Sequence, residues 1–296
     1  MSDVSVDLDT IRQIRALHPE QVAEAAAARV PRPMLRGDNR LMLVAADHPA
    51  RGALGVRGVA TAMENRADLL TRLVRALRRP GVDGVLGSPD ILEDLLLLGE
   101  LDDKVVFGSM NRGGLQGATF ELDDRFTAYD VATLRRMKFD GGKMLVRVDL
   151  HDAGTVRTLE HCAAAVTELA RHAMPAMIEP FMASRQGDRV VNELTAAGVA
   201  KSAGIASSLG ATSAYSWLKL PVVDGMDRVM AATTLPTLLL GGDPSTEPEE
   251  TYATWAKALA LPGVRGLVVG RALLYPPDGG VESAVDTAVS LVRETG

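Results

Sequence analysis

Eight short apolar segments, separated by segments of helical periodicity, constrain the fold of this chain more than any other feature. Each segment is short enough for a buried strand, and strands that alternate with helices along a chain form parallel sheets. The pattern therefore predicts repeated βα units. The segments are Leu41–Ala46, Gly84–Gly87, Val105–Gly108, Met144–Val148, Ala176–Ile178, Ala214–Leu220, Thr237–Leu240 and Gly266–Val269.

Two of the intervening segments show the apolar face that an outer helix of a barrel needs. Pro80 and Pro175 follow them, where each helix has to stop before the next strand begins. An open doubly wound sheet would have the same alternation, but the early glycine fingerprint of a dinucleotide-binding fold is absent. Eight units favour closure, and we predict an α/β protein with a single (β/α)8 TIM barrel. The apolar faces comprise Leu69, Leu70, Leu73, Val74 and Leu77, and Leu159, Cys162, Ala163, Val166 and Ala170.

The length and the first residues of the chain predict its domain organisation. A chain of 296 residues with 47% hydrophobic residues exceeds the roughly 250 residues that one such barrel uses. Residues 1–37 are charged and alanine-rich, with the breakers Pro31 and Pro33 before any strand signal. We predict a helical extension over residues 1–37, which caps the barrel bottom or supports a homo-oligomer, and a catalytic barrel over residues 38–296.

Charge and hydropathy exclude several classes of partner. The net charge of -6 is spread through the chain, and no block of Lys and Arg interleaved with aromatic residues marks a nucleic-acid surface. No apolar run reaches the roughly 20 residues that a membrane span requires, and the N-terminus is acidic where a secretory signal would be basic. Cys162 is the single cysteine, so an internal disulfide is excluded. We expect a cytoplasmic protein with neither nucleic acid nor membrane as a partner.

A lysine at the end of the sixth predicted strand is the strongest candidate for chemistry. Barrel enzymes place their working groups at the C-terminal ends of strands, and alternation puts Tyr215, Trp217 and Lys219 on one side. If Lys219 points inward, burial lowers its pKa, and a second cation such as Lys143 lowers the pKa further. A neutral amine attacks a ketone, and the protonated imine accepts electrons when a neighbouring carbon bond breaks. The simpler alternative is a lysine that extends to solvent.

Two carboxylates near the same rim are candidates for the proton transfers that imine chemistry requires. Asp47 follows the first predicted strand and Glu179 follows the fifth, and either could act as the acid or the base. The structural alternatives are a helix or turn cap beside Pro49 for Asp47, and an ion pair with Arg147 or Lys143 for Glu179.

Glycines after the last two predicted strands indicate where an anion binds. Gly241 and Gly242 follow the seventh strand, and Gly270 with Arg271 follows the eighth. Glycines leave backbone N–H groups open to an anion, and barrels commonly bind phosphate at this position. Glycines in ordinary turns are the alternative for each end taken singly.

The histidines test whether the site uses a metal. A catalytic zinc needs about three converging protein ligands, and only His48 and His151 lie near strand ends. We therefore expect no metal and no other cofactor. His48 is a candidate substrate contact, with a hydrogen-bonded core histidine as the alternative, and Arg147 is a further candidate for substrate binding.

Short blocks of this sequence resemble class I aldolases related to tagatose-bisphosphate aldolase and to the archaeal-type fructose-bisphosphate aldolases. Leu43–His48 is similar to the first strand of that family, which bears an aspartate, and Lys143–Asp149 to its fourth strand, which begins with lysine. Trp217–Pro221 resembles the strand that carries the Schiff-base lysine. Leu235–Gly242 and Gly266–Arg271 resemble the phosphate-binding end.

The resemblance implies a role for each matching residue. Lys219 corresponds to the Schiff-base nucleophile, Glu179 and Asp47 to the residues that move protons, and Lys143 to a supporting charge. Gly242, Gly270 and Arg271 correspond to the phosphate site. Strand four departs from some members, which have aromatic residues where this chain has Val146, Arg147 and Val148, and residues 186–213 do not match closely.

We therefore expect a class I aldolase, an aldehyde-lyase that cleaves a phosphorylated ketose or keto acid to dihydroxyacetone phosphate and an aldehyde. A further similarity to actinobacterial barrel proteins associated with inositol catabolism implies 5-dehydro-2-deoxygluconate 6-phosphate as the substrate. The Lys-Thr-Ser-Thr-Gly pattern of true deoxyribose-phosphate aldolases is absent. A transaldolase-like transferase or isomerase acting on a sugar phosphate, and a non-catalytic barrel that binds one, are the alternatives.

Overall fold

Eight parallel strands close into a barrel in the computed structural model, which describes residues 6–112, 114–241 and 247–294. Each strand pairs with the next, and β9 pairs with β1 to complete the circle. The predicted (β/α)8 barrel with an N-terminal helical extension is confirmed. The barrel strands are β1 Leu41–Ala46, β2 Gly84–Gly87, β3 Val105–Ser109, β4 Gly141–Val148, β5 Ala176–Gln186, β7 Ser216–Pro221, β8 Thr237–Leu240 and β9 Val264–Val269, and β6 Arg189–Asn192 lies outside the barrel.

Helices surround the strands, and the two apolar faces predicted from sequence belong to α3 and α6. All five predicted residues of the α3 face are buried against the outside of the barrel. The described helices are α1 Leu8–Leu17, α2 Glu20–Ala28, α3 Arg66–Leu77, α4 Pro89–Leu97, α5 Val131–Arg136, α6 Gly154–Arg171, α7 Ala196–Ser207, α8 Met226–Met230, α9 Pro248–Leu259, α10 Arg271–Leu274 and α11 Val281–Glu294, with a 3₁₀ helix at Pro49–Arg51.

The barrel interior is a packed apolar cluster rather than a pore. Alternate residues of each strand point inward, as the period of two requires. Met34 and Leu35, which precede β1, pack against this interior cluster, so the N-terminal segment closes the barrel floor. The cluster consists of Leu41, Leu43, Ala45, Leu86, Val105, Phe107, Met177, Leu238 and Val268.

The N-terminal extension is fastened to the barrel by arginines. Arg15 of α1 donates to Asp94 of α4 at 2.8 Å. Arg29 follows α2, is 3% exposed, and donates to the backbone oxygens of Leu101, Lys104 and Lys138. Those oxygens lie just before β3 and β4, so the extension covers the N-terminal ends of these strands and has the capping role that the sequence suggested.

The fifth strand differs from its prediction. Its apolar segment was expected to end at Ile178, but β5 continues to Gln186 and pairs antiparallel with β6. The two-stranded ribbon extends beyond the barrel, where no neighbour buries both faces, so no continuous apolar run marks it in the sequence.

A helix that spans a membrane needs about 20 predominantly apolar residues. None of the helices within the described ranges is both long and apolar enough to cross a bilayer.

Candidate active site

Four ionisable side chains from four strands meet directly above the apolar interior, and we call them the rim quartet. Asp47 follows β1, Lys143 lies on β4, Glu179 on β5 and Lys219 on β7. The Nζ atom of Lys143 lies 2.8 Å from Oδ2 of Asp47 and 2.7 Å from Oε2 of Glu179. Nζ of Lys219 lies 3.1 Å from the same Glu179 oxygen. The carboxylate of Glu179 therefore joins the two lysines.

Strand alternation accounts for the inward direction of these side chains. Trp217 is paired in register with Met177 and packs against the interior cluster. Lys219 comes two residues later on the same face, as Glu179 does after Met177. Lys219 is only 3% exposed, which rules out the alternative of a lysine that extends to solvent.

The two lysines differ in their electrostatic environment. Burial lowers the pKa of Lys219, and although Glu179 acts in the opposite direction, the repulsion from Lys143 helps to keep this pKa below its ordinary value. Burial also opposes the charge of Lys143, but Asp47 and Glu179 together outweigh it and raise the pKa of Lys143. Lys219 is therefore the lysine that can become a neutral amine while Lys143 stays protonated.

Both carboxylates of the rim quartet are ionised at neutral pH. Burial disfavours their charge, but the two lysines overcome that penalty and lower the pKa of Glu179 to about 2. Lys143 and Lys219 also hold the pKa of Asp47 well below its ordinary value, against the same burial penalty. A base with so low a pKa accepts a proton only transiently, when a neighbouring group loses positive charge.

The rim quartet lies at the bottom of a cavity of about 760 Å³, which opens at the C-terminal end of the barrel. Gly241, Gly270 and Arg271 line it, whereas Gly242 lies outside the described residues. A Cβ atom at position 270 would lie 2.4 Å from the backbone oxygen of Ala45, so only glycine fits beside β1. The structure thus places three of the four predicted phosphate-site residues around one cavity with the rim quartet.

His48 also lines the cavity, next to the rim quartet. Its Nδ1 lies 3.8 Å from Oδ1 of Asp47, beyond hydrogen-bond distance, and has no hydrogen-bond partner among the described residues. Burial lowers the pKa of His48 to about 3, so the imidazole is neutral. Across residues 6–112, 114–241 and 247–294, no group of three His, Cys, Asp or Glu side chains is arranged to hold a metal ion.

Arg147 is not brought to the cavity with the other candidates. Its guanidinium lies 2.5 Å from Oε1 of Glu121, and both side chains are buried. The buried carboxylate of Glu121 requires a cation, and β4 carries Arg147 past the rim into the loop that contains this carboxylate. The expectation that Arg147 binds the substrate is therefore not supported, and Glu179 pairs with Lys143 and Lys219 instead of Arg147.

Several residues that sequence reasoning did not select line the same cavity. Arg51 and Arg57 come from the segment after β1, and Arg112 follows β3. Phe181 and Asn192 come from the β5–β6 ribbon. Gly58 between two valines is a turn residue that could have pointed to the first segment, although Arg57 is not a usual partner for it in a two-residue hairpin turn. The cavity is consequently far more basic than the chain as a whole.

A family model and a solved structure each match most of this chain. A family model described as Cgl0159-like matches residues 39–289. The crystal structure of Cgl0159 from Corynebacterium glutamicum shares 55% sequence identity over 97% of both chains, with a TM-score of 0.94. No functionally curated protein matches the chain in sequence.

More distant structures share the fold at low identity. An archaeal fructose-1,6-bisphosphate aldolase, solved with its catalytic lysine covalently bound to the carbinolamine intermediate of the substrate, has a TM-score of 0.66 and 18% identity. That match covers 93% of this chain and all of the aldolase. A fructose-bisphosphate aldolase from Slackia heliotrinireducens has a TM-score of 0.61 at 13% identity, over 99% of this chain and 95% of the other. These similarities show a shared barrel fold.

Proposed function

This chain belongs to the Cgl0159-like family, and we propose that it is a class I aldolase with Lys219 as its Schiff-base nucleophile. The observation that carries the proposal is the buried amine of Lys219, 3.1 Å from a carboxylate and close to Lys143, whose pKa is raised by Asp47 and Glu179. That arrangement is what an amine needs in order to be neutral and nucleophilic. The carbinolamine on the lysine of the archaeal aldolase supports the same chemistry on this fold.

The rim quartet supplies the groups for each step. Glu179 accepts a proton from Lys219, and the neutral amine adds to the carbonyl carbon of the ketose or keto acid to form a carbinolamine. Protonation of the carbinolamine hydroxyl expels water and leaves an iminium ion. Glu179 is in contact with the nitrogen, and Asp47 lies on the other side of Lys143, so either carboxylate can serve these transfers.

Carbon bond cleavage uses the iminium as an electron sink. A carboxylate removes the proton from the substrate hydroxyl, the bond between the two fragments breaks, and its electrons form an enamine on Lys219 while the aldehyde departs. Protonation of the enamine carbon and hydrolysis of the iminium by water release the second fragment and regenerate the amine. Lys143 remains protonated throughout and keeps both carboxylates ionised.

The side of the cavity that we expect to bind phosphate defines the substrate class that we propose. Gly241, Gly270 and Arg271 would hold a phosphate, so the released ketone fragment is dihydroxyacetone phosphate and the substrate is a phosphorylated ketose or keto acid. The cavity, at about 760 Å³, is of the size that small-molecule sites commonly have. The choice of 5-dehydro-2-deoxygluconate 6-phosphate, and with it a place in inositol catabolism, remains a prediction from sequence resemblance.

Borohydride trapping tests the proposal directly. The protein is incubated with dihydroxyacetone phosphate, reduced, digested and examined by mass spectrometry, and we expect a single stable adduct on Lys219. Lys219→Met should abolish the adduct without loss of folded structure. Lys201→Met, at an exposed lysine of α7, is the matched control and should be trapped like the parent protein.

Two outcomes would contradict the proposal. Binding of dihydroxyacetone phosphate without any adduct would indicate a non-catalytic barrel. An adduct on Lys143 would show that the nucleophile lies on β4 and that Lys219 is not the reacting lysine. Faster passage of the trapped fragment to an acceptor aldehyde than to water would favour a transaldolase-like transferase.

A further inference from the structure

A small hairpin lies over the phosphate side of the cavity. Residues 55–60 line the cavity, and Val56 and Val59 exchange backbone hydrogen bonds of 3.0 and 2.9 Å across a two-residue turn. The turn residues Arg57 and Gly58 have φ values of 49° and 79°. Positive φ at both central positions is the geometry of a type I′ turn, whose first position is normally Asn, Asp or Gly.

Arginine is an unusual residue for such a position. The other non-glycine residues with positive φ in the described chain have local reasons for it. Asn39 and Asp103 are residue types that tolerate this conformation, and Lys138 and Ala173 follow the ends of α5 and α6, where left-handed residues are common. Arg57 stands at the tip of a hairpin, where its side chain costs conformational energy. Backbone strain of this kind concentrates at ligand-binding sites.

The hairpin is attached to the elements that form the predicted phosphate site. Nη1 of Arg271 donates to the backbone oxygen of Gly55 at 3.3 Å, and Nε of Arg57 donates to the backbone oxygen of Tyr275, at the end of α10, also at 3.3 Å. At its base, Val56 and Met63 are buried in the outer core. The base of the hairpin is therefore held in place while its tip faces the cavity.

Arg57 lacks the carboxylate partner that many arginines of this chain have. No carboxylate lies within ion-pair distance of its guanidinium among the residues that the structure describes, and its hydrogen bond to the backbone oxygen of Tyr275 uses Nε alone. By contrast, Arg66, Arg72 and Arg75 of α3 each form an ion pair with a carboxylate. The Nη groups of Arg57 are consequently available to an anion that enters the cavity.

The excess of positive charge in the cavity lining favours the binding of such an anion. Its described residues include six Lys and Arg side chains but only the two carboxylates of the rim quartet, in a chain whose net charge is -6. Those two carboxylates are already paired with Lys143 and Lys219. Arg51, Arg57 and Arg112 therefore line the cavity without a further carboxylate among its described lining residues.

We propose that the Val56–Val59 hairpin is an anion clamp in which Arg57 binds the phosphate of the substrate together with the Gly241 and Gly270 backbone. The proposal rests on the proposed function, because it identifies a specificity residue of that same site. Its ligand is a phosphate monoester dianion, which presents three oxygens to the forked donors of a guanidinium. Arg57 accordingly favours phosphorylated over unphosphorylated ketoses.

The variant Arg57→Asn separates binding from folding. Asparagine suits the left-handed turn better than arginine, so the unliganded variant should melt at the same temperature as the parent or higher. Its affinity for inorganic phosphate, measured by calorimetric titration, should fall by about tenfold or more, since a charge-assisted contact is lost. Arg57→Lys should lie between the two. Arg265→Asn, an exposed arginine near the N-terminal end of β9, is the control and should bind phosphate like the parent.

Kinetic and anion controls complete the test. With a phosphorylated substrate, Arg57→Asn should raise KM with little change in kcat, and acetate should compete far less well than phosphate. The clamp proposal is contradicted if the parent protein binds no phosphate, or if Arg57→Asn changes the affinity for phosphate less than twofold. It is also contradicted if acetate competes as well as phosphate does, or if unliganded Arg57→Asn melts at a lower temperature than the parent.

Failure of the clamp and failure of the aldolase proposal give different results. Dependence of phosphate binding on Arg57, with no borohydride adduct on Lys219, would uphold the clamp and reject the aldolase. An adduct on Lys219 with unchanged phosphate affinity in Arg57→Asn would uphold the aldolase and reject the clamp.

Discussion

Buried charges lie at both ends of this barrel, and the two ends use different cations. At the floor, Asp83 accepts hydrogen bonds from Arg32 at 2.8 Å, from Arg293 at 2.6 Å and from the backbone N–H of Met42 at 2.7 Å. At the other end, the rim quartet pairs its two carboxylates with lysines. Both groups are largely withdrawn from water, so burial alone does not distinguish them.

The difference lies in what each cation can do with a proton. A guanidinium remains charged at any physiological pH, and its fixed fork satisfies a carboxylate and nearby carbonyls together. An ammonium is a point charge whose pKa burial can lower, and a neutral lysine is a nucleophile. The floor therefore fastens β1 and β2 to the C-terminal helix, whereas the rim can exchange protons. Four predictions test this contrast, from the largest effect to the smallest.

Lys219→Arg replaces the lysine of the rim quartet with arginine, the type of cation that is found at the barrel floor. Charge is kept, but no neutral amine can form, so we expect kcat for aldol cleavage to fall by about 10⁴-fold or more, which is about 5.5 kcal/mol in the barrier. The cavity above Lys219 leaves room for the larger side chain. The measurement is the rate of release of dihydroxyacetone phosphate, with the melting temperature as the check on folding. Activity within tenfold of the parent protein would mean that only the charge of Lys219 matters.

Glu179→Gln keeps the shape of the rim quartet but removes the carboxylate between the two lysines. Proton transfer by a positioned side chain contributes roughly 10² to 10⁴-fold, so we expect kcat to fall by about 10³-fold. Asp47→Asn is the matched comparison, because Asp47 contacts Lys143, whereas Lys219 donates its hydrogen bond to Glu179. A smaller loss in Glu179→Gln than in Asp47→Asn would assign the main proton transfers to Asp47.

Asp83→Asn breaks the floor instead. Two arginines lose their shared buried carboxylate, and removal of one partner from a buried ion pair typically costs about 3 kcal/mol or more. We expect the free energy of unfolding in urea to fall by about that amount, with kcat per folded molecule nearly unchanged. Asp286→Asn, which removes the carboxylate of an exposed pair with Arg79, should destabilise far less. A large loss of kcat in folded Asp83→Asn would show that floor and rim are coupled.

The closed barrel and the rim quartet could be predicted because both follow from local pattern. Strands of a barrel are buried on two sides, so each appears in the sequence as a short apolar run, and alternation along β7 directs Lys219 inward. The N-terminal segment was also recognisable, because Pro31 and Pro33 separate it from β1. Strand boundaries at β1, β2 and β8 agree with the apolar segments residue for residue.

Features that depend on distant partners could not be predicted in the same way. Arg147 shares the inward face of β4 with Lys143, but its direction is decided by Glu121, a loop residue whose position no periodicity reveals. The β5–β6 ribbon extends above the barrel with half-exposed strands, and Arg57 reaches the cavity only because its hairpin folds back over α10. The quartet is local in origin, whereas much of the substrate pocket is built from loops.

The pH dependence of imine formation gives the finest test of the contrast between floor and rim. The amine of Lys219 must be neutral to react, so the rate of borohydride trapping should rise with pH through the lowered pKa of this lysine and then level off. Glu179 raises that pKa, in opposition to burial and Lys143. In Glu179→Gln the rising limb should therefore move to lower pH, even though the plateau rate falls with the loss of the proton acceptor. Asp83→Asn, at the floor, should leave the limb in place. A shift to higher pH in Glu179→Gln would mean that Glu179 does not stabilise the protonated amine, and that another group sets the charge of Lys219.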